Sequence, residues 1–129
     1  MFSPHKNDTG AVLPWEYLPA AEGTYAAGQL LQISNGKLAA LSAATKTTPP
    51  YLCMGNHTVE SGGELPVTRI DKDTIYAVEL SAAATAATVG TMLEVSAGGK
   101  EVDAAAVGTF EVVAMEGTAI GDIVYGRFQ

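Results

Sequence analysis

One cysteine and two histidines are the residues of this 129-residue chain that could support nucleophilic chemistry. Cys53 and His57 are four positions apart, and a thiol beside an imidazole is the arrangement of a nucleophile with its base. In an extended strand, however, positions i and i+4 lie about 13 Å apart at ~3.3 Å per residue, which is too far for direct proton transfer. Because Cys53 stands between Leu52 and Met54, we interpret it as a small core residue.

Two further patterns resemble ligand-binding motifs. Asp71 and Asp73 have the spacing of some acidic metal sites, but no third ligand is evident beside them, so a solvated turn is the simpler interpretation. The glycine pairs 62–63 and 98–99 do not precede a helical pattern, so they lack the amide array of a phosphate loop. We therefore predict no catalytic residue, no metal site and no cofactor, and expect that the protein is not an enzyme.

The composition indicates a single acidic domain. The net charge is -7, and 47% of the residues are hydrophobic while 16% are charged, which is too apolar for a disordered chain. Nucleic-acid binding depends on cations that contact phosphates, so the acidic balance argues against it. The apolar runs are interrupted too soon for a transmembrane segment, and residues 1–8 lack the apolar core of a secretory signal. We expect neither a nucleic-acid nor a membrane partner.

The elements that the sequence predicts are strands. Asn35-Gly36 between the apolar runs 29–34 and 37–41 is a strong hairpin signal, because Asn-Gly accepts the positive φ angles of a type I′ turn. Ser81–Ala87 is either a helix of at most two turns, with Ser81 as its N-cap, or a loop packed against another backbone. Further hairpins are predicted over Val67–Leu80 and Thr91–Val102, and further strands over Gly108–Glu116 and Asp122–Phe128.

Two segments of the sequence resemble each other, and this internal echo indicates the architecture. Gly28–Lys37 aligns with Gly90–Lys100 when one residue is inserted at the turn, and a glycine-polar-apolar opening recurs at Gly63 and Gly121. Regular recurrence of a strand-opening glycine implies similar units around a common core. We predict an all-β fold over residues 21–129: a small closed or partly open β-barrel with two pseudo-repeated halves.

Residues 1–20 differ from the rest of the chain. They contain Pro4, Pro14 and Pro19, which predicts an extended N-terminal arm without regular structure of its own. Its apolar residues are too many for a free tail, and they are the candidate contact residues: Val12, Leu13, Pro14, Trp15, Tyr17 and Leu18. The arm either packs across its own domain or reaches a neighbouring subunit or a partner. Deletion of residues 1–19 is expected to leave the body folded while abolishing attachment to the partner.

The layout resembles a known family. The resemblance rests on the segments Phe2–Asp8, Pro14–Ala20, Gly28–Leu31, Ser34–Leu38, Pro49–Tyr51 and Gly108–Val112. In size and turn composition the chain resembles the head-decoration (capsid cement) proteins of tailed phages and prophages, broadly of the lambda type. The resemblance implies a homotrimer that binds the major capsid protein on the outer surface of the capsid. It also implies synthesis in the bacterial host cytoplasm, which suits a single free cysteine.

A different class of function stays open. Sugars stack on aromatic faces, and Trp15, Tyr17, Tyr25, Tyr51 and Tyr125 are interpreted as exposed aromatics. The alternative is therefore a non-catalytic glycan- or cell-surface-binding module of a phage fibre or of a bacterial surface protein.

Overall fold

The computed structural model describes residues 1–10, 13–105 and 107–129. The regular secondary structure of these residues consists of β-strands alone. The thirteen strands are β1 Ser3–Asn7, β2 Glu16–Pro19, β3 Gly23–Tyr25, β4 Leu30–Ser34, β5 Lys37–Ala40, β6 Tyr51–Cys53, β7 His57–Val59, β8 Glu64–Arg69, β9 Thr74–Glu79, β10 Met92–Val95, β11 Val102–Ala104, β12 Phe110–Met115 and β13 Ile123–Phe128. The predicted all-β class is confirmed.

The strands form three antiparallel sheets whose order reveals an internal repeat. A five-stranded sheet has the order β2-β8-β6-β4-β5, a six-stranded sheet has the order β1-β9-β13-β12-β10-β11, and β3 pairs with β7. When β1 is set aside, the two large sheets have the same order of first, fifth, fourth, second and third strand along the chain. We call β2, β4, β5, β6 and β8 the first repeat, and β9 to β13 the second repeat.

Each repeat curls until its two outer strands meet. Ala20, directly after β2, forms a parallel bridge with Leu38 of β5, and Leu80, directly after β9, forms the equivalent bridge with Val102 of β11. These are single bridges, so each repeat is a partly open barrel in the described part of the chain. The sequence predicted two halves of one barrel, whereas each half here curls on itself, because all five strands of a repeat find partners inside that repeat.

The sequence echo corresponds to matching hydrogen bonds in the two repeats. The Gly28 amide donates to the Cys53 carbonyl at 2.8 Å, and the Gly90 amide donates to the Val112 carbonyl at the same distance. Both glycines have positive φ, +90° and +93°, a conformation that residues with a Cβ rarely adopt. The two predicted pseudo-repeated halves are therefore present in the fold, and the echo marks the start of the same strand in each.

Two of the predicted hairpins are confirmed. Ser34 pairs with Lys37 across Asn35 and Gly36, whose φ angles of 52° and 76° suit a type I′ turn. The hairpin of β10 with β11 closes where Val95 pairs with Val102.

The predicted hairpin over Val67–Leu80 is wrong. β8 lies between β2 and β6, and β9 lies between β1 and β13, so both edges of each strand are occupied. The segment between β8 and β9 instead joins the two repeats. Its turn is held by the Asp71 carboxylate, which accepts 2.8 Å hydrogen bonds from the Asn7 amide and from the Thr74 hydroxyl.

Ser81–Ala87 is not a helix, and the loop alternative is the correct one. The Ala84 amide donates to the carbonyl of Thr118 at 2.8 Å, and Ala84 and Ala87 are buried in the larger of two core clusters. Small side chains allow the loop backbone to approach another segment closely, and this tertiary contact replaces helical hydrogen bonds.

The N-terminal segment contributes a strand to each of the two large sheets. β1 pairs with β9 at the edge of the second repeat, and β2 is the first strand of the first repeat. The expectation that residues 1–20 have no regular structure is thus wrong for these two stretches, and the predicted division after residue 20 cuts through the first repeat. The reason is that edge strands tolerate proline, since an outward-facing position has no ladder hydrogen bond to lose.

The core joins the two repeats. The larger cluster contains the rings of Phe2, Tyr76, Phe110 and Phe128, and Leu30 and Leu52 of the first repeat belong to it as well. The smaller cluster is formed by the first repeat together with β3 and β7, and contains the following buried residues: Ala20, Tyr25, Leu31, Leu38, Cys53, Val59, Leu65 and Val67.

Candidate contact surface at β2

The predicted contact residues lie on and just before β2. Trp15 and Tyr17 are 56% and 63% exposed, whereas Leu18 is partly buried and packs against the smaller core cluster. Side chains of a strand alternate between its two faces, so Leu18 anchors β2 while Tyr17 points outward. Leu13 is half-buried and Pro14 is exposed. Val12 lies outside the described residues.

The position of β2 follows from its pairing with β8. Tyr17 pairs with Pro66 and Leu18 with Leu65. Just before the strand, the Thr68 hydroxyl donates a 2.8 Å hydrogen bond to the carbonyl of Pro14. Thr68 itself is buried, so this bond fixes the direction in which the chain enters β2 and with it the place of Trp15.

Trp15 and Leu13 line two open grooves. One groove, of about 280 Å³, is also lined by His5, Met54 and Thr74. The other, of about 380 Å³, is lined by residues 68–71 together with Glu16. Apart from the residues around Trp15, those that line these grooves come from β1, β8, the start of β9 and the segments after β6 and β8. No spacing in the sequence could have assembled them, because only the fold brings these segments together.

The other tyrosines predicted to be exposed are not free aromatic faces. Tyr25 is buried in the smaller core cluster, where its hydroxyl donates to the carbonyl of Ala21 at 2.7 Å and burial raises its pKa. Tyr51 is partly buried against the same cluster. Tyr125 contacts the His5 ring at 4.6 Å between centroids.

Cys53 and His57 do not form a nucleophile and base pair. Cys53 is fully buried, as its interpretation as a core residue predicted. Its thiol donates to the Gly55 carbonyl at 3.2 Å, and burial raises the pKa of the thiol. His57 is exposed on β7. A buried thiol with a raised pKa is mostly protonated near neutral pH and reacts slowly.

The described residues were also compared with what a metal site or a membrane-spanning helix requires. Within residues 1–10, 13–105 and 107–129, no three His, Cys, Asp or Glu side chains cluster closely enough to hold a metal ion. The same residues contain no helix long and apolar enough to cross a membrane.

The chain matches no protein-family model and no curated protein. The function is therefore inferred from the exposed rings of Trp15, directly before β2, and Tyr17, within it.

Proposed function

We propose that this protein is a structural component of a phage particle, a homotrimer that decorates the outer surface of the capsid. The major capsid protein is its partner, and the surface around Trp15 and Tyr17 is the contact. The exposure of these two rings supports the proposal, since Trp and Tyr are enriched among the residues that dominate binding energy at protein interfaces. The resemblance in layout to head-decoration proteins points in the same direction.

Repeated shallow contacts suit this function. The grooves beside Trp15 are open rather than enclosed, so they offer surface for a protein partner. Three linked copies would also bind a repeating lattice more tightly than one copy, because the second and third contacts form at a high effective concentration.

The test uses heads assembled from the major capsid protein of the phage or prophage that, under this proposal, carries the gene. Wild-type protein is expected to co-sediment with the heads. The double variant Trp15→Ala/Tyr17→Ala is expected to bind at least tenfold more weakly, because losing a central aromatic anchor costs about 2 kcal/mol or more. The matched control is Val89→Ala/Ile120→Ala, which truncates two side chains that are 69% and 71% exposed in the second repeat. Equal binding by the two double variants would refute the contact surface.

Light scattering tests the assembly state separately. The expected mass is three times the 13.3 kDa chain, and a monomer at micromolar concentration would contradict the homotrimer. Deletion of residues 1–19, which the sequence suggested as a test, removes the buried Phe2 and all of β2. We therefore expect it to unfold the protein, and point substitutions take its place.

The exposed Trp15 beside two grooves also favours the second candidate, glycan binding, because a sugar ring can stack on an accessible indole. A glycan array probed with the full chain distinguishes the two functions. Binding that disappears in Trp15→Ala would support the lectin-like function, and an array without signal would discard it.

A further inference from the structure

The two repeats can be matched residue by residue along their first strands. After β2, the Ala20 amide donates to the Gly63 carbonyl at 3.1 Å, and after β9 the Leu80 amide donates to the Asp122 carbonyl at 3.0 Å. Counting back from these equivalent bonds, Tyr17, which pairs with Pro66, matches Ala77, which pairs with Tyr125. Residues 14–17 of the first repeat therefore correspond to residues 74–77 of the second.

The matched residues differ in what lies beside them. In the second repeat, β1 pairs with residues 74–77, from Asn7 with Thr74 to Ser3 with Ala77. In the first repeat, no described strand pairs with the corresponding edge of β2. The opposite edges of the two sheets do not differ in this way, because β5 and β11 are the last strands of their sheets. One edge that is covered in one repeat is thus open in the other.

We propose that the open edge of β2, residues 14–17, accepts an extended segment of a different protein, which pairs with it as β1 pairs with β9. In an antiparallel ladder, alternate residues of β2 direct their backbone N–H and C=O groups away from β8. An added strand would satisfy those groups, and addition of a strand to an open sheet edge is a general mode of peptide recognition.

A second copy of this chain cannot readily supply its β1 strand. That strand is held by the buried Phe2 ring directly before it and by its pairing with β9. Release of β1 would expose that ring and open the core that it closes. We therefore assign the segment to another protein rather than to the β1 strand of a second copy.

Charge complementarity indicates the chemistry of this segment. β1, the strand that occupies the equivalent edge, carries Lys6 and no carboxylate. The exposed Glu16 lies at the open edge, and the grooves beside it contain Asp71 and the cations Lys6 and Arg69, so the local charges balance. The net charge of -7 then favours a basic or uncharged segment over an acidic one. The expected segment is basic or uncharged, with apolar side chains at alternate positions that lie against Trp15 and Tyr17.

The prolines around β2 do not close this edge. Proline removes one donor and often protects edge strands. Pro4 lies in β1 and still pairs with Tyr76 of β9, with a register shift directly after Pro4. A proline is thus compatible with strand pairing at the equivalent edge. Pro14 and Pro19 lie at the two ends of the β2 region, so Trp15, Glu16, Tyr17 and Leu18 all keep their backbone amides.

The experiment selects ligands from a library of random short peptides displayed on phage, with the full-length chain as bait. The best peptide is synthesised and added to isotope-labelled protein, and amide hydrogen exchange is followed by NMR. Strand addition is expected to slow exchange of at least one amide within residues 15–18 by about tenfold or more, which corresponds to about 1.4 kcal/mol. Stacking on the indole alone would not protect a backbone amide.

Two variants distinguish binding at the β2 edge from non-specific hydrophobic binding. Trp15→Ala is expected to lower the affinity for the peptide by about tenfold. Val89→Ala, which truncates an exposed apolar side chain in the second repeat, is expected to leave the affinity unchanged. The proposal is overturned if no peptide is enriched, or if the enriched peptide protects no amide within residues 15–18. The partner need not be a capsid protein. Peptide binding at β2 without head binding would refute only the proposed function, and head binding without protection at β2 would refute only this inference.

Discussion

Phe2→Ala tests whether the N-terminal strand is part of the folded core. Phe2 is 2% exposed, and its ring centroid lies 5.9 Å from that of Phe110 and 5.7 Å from that of Phe128. Truncation of a buried phenylalanine costs roughly 3–5 kcal/mol through lost burial and the cavity left behind. The backbone bond from the Phe2 amide to the Gly28 carbonyl, 2.8 Å long, does not involve the ring and can persist, so the loss reports on the ring.

The assay is urea unfolding followed by far-ultraviolet circular dichroism, because the exposed Trp15 is a poor fluorescence reporter of burial. A typical domain has a free energy of unfolding of roughly 5–15 kcal/mol, so a loss of about 4 kcal/mol moves the midpoint far toward lower urea. Ser3→Ala, an exposed substitution at the next position, is the control and is expected to change stability by less than about 0.5 kcal/mol. A loss below about 1 kcal/mol for Phe2→Ala would refute the docking of the N-terminus in the core.

Three further predictions concern the turn, the thiol and alkaline pH. Asn35→Ala is expected to cost about 1 kcal/mol in urea unfolding, because Asn35 has a φ of 52° that alanine adopts poorly; equal stability of Asn35→Ala and Asn35→Gly would contradict this. Cys53 is buried and burial raises the pKa of its thiol, so Ellman's reagent should label it slowly in the native protein and rapidly in urea; a fast native reaction would contradict the burial. Burial also raises the pKa of Tyr76, so the contribution of this tyrosine to stability is complete below the unfolded pKa of about 10 and falls as the pH rises above that value. Urea midpoints measured across this pH range should therefore depend less on pH in Tyr76→Phe than in the wild type. An equal pH dependence of the two proteins would contradict the prediction.

Local chemistry was sufficient to predict several features from the sequence. The Asn35-Gly36 turn determines the pairing of β4 with β5, because its backbone angles bring two adjacent runs together. The glycines at 28 and 90 mark equivalent strand starts, because glycine adopts the positive φ that both positions require without a steric cost. The burial of Cys53 followed from its apolar neighbours in the chain.

Long-range pairing decided which strands lie next to each other. Val67–Leu80 reads as a hairpin, yet β8 and β9 lie in different sheets, because each has partners on both edges that are distant in sequence. The same competition recruits β1 and β2 into the sheets and buries Tyr25. A short apolar run has the same pattern whichever edge it joins, so the amino-acid sequence predicted strands at β8 and β9 but no regular structure at β1 and β2. Only the packing of the two repeats selected the neighbours of each strand and left one edge of β2 without a described partner strand.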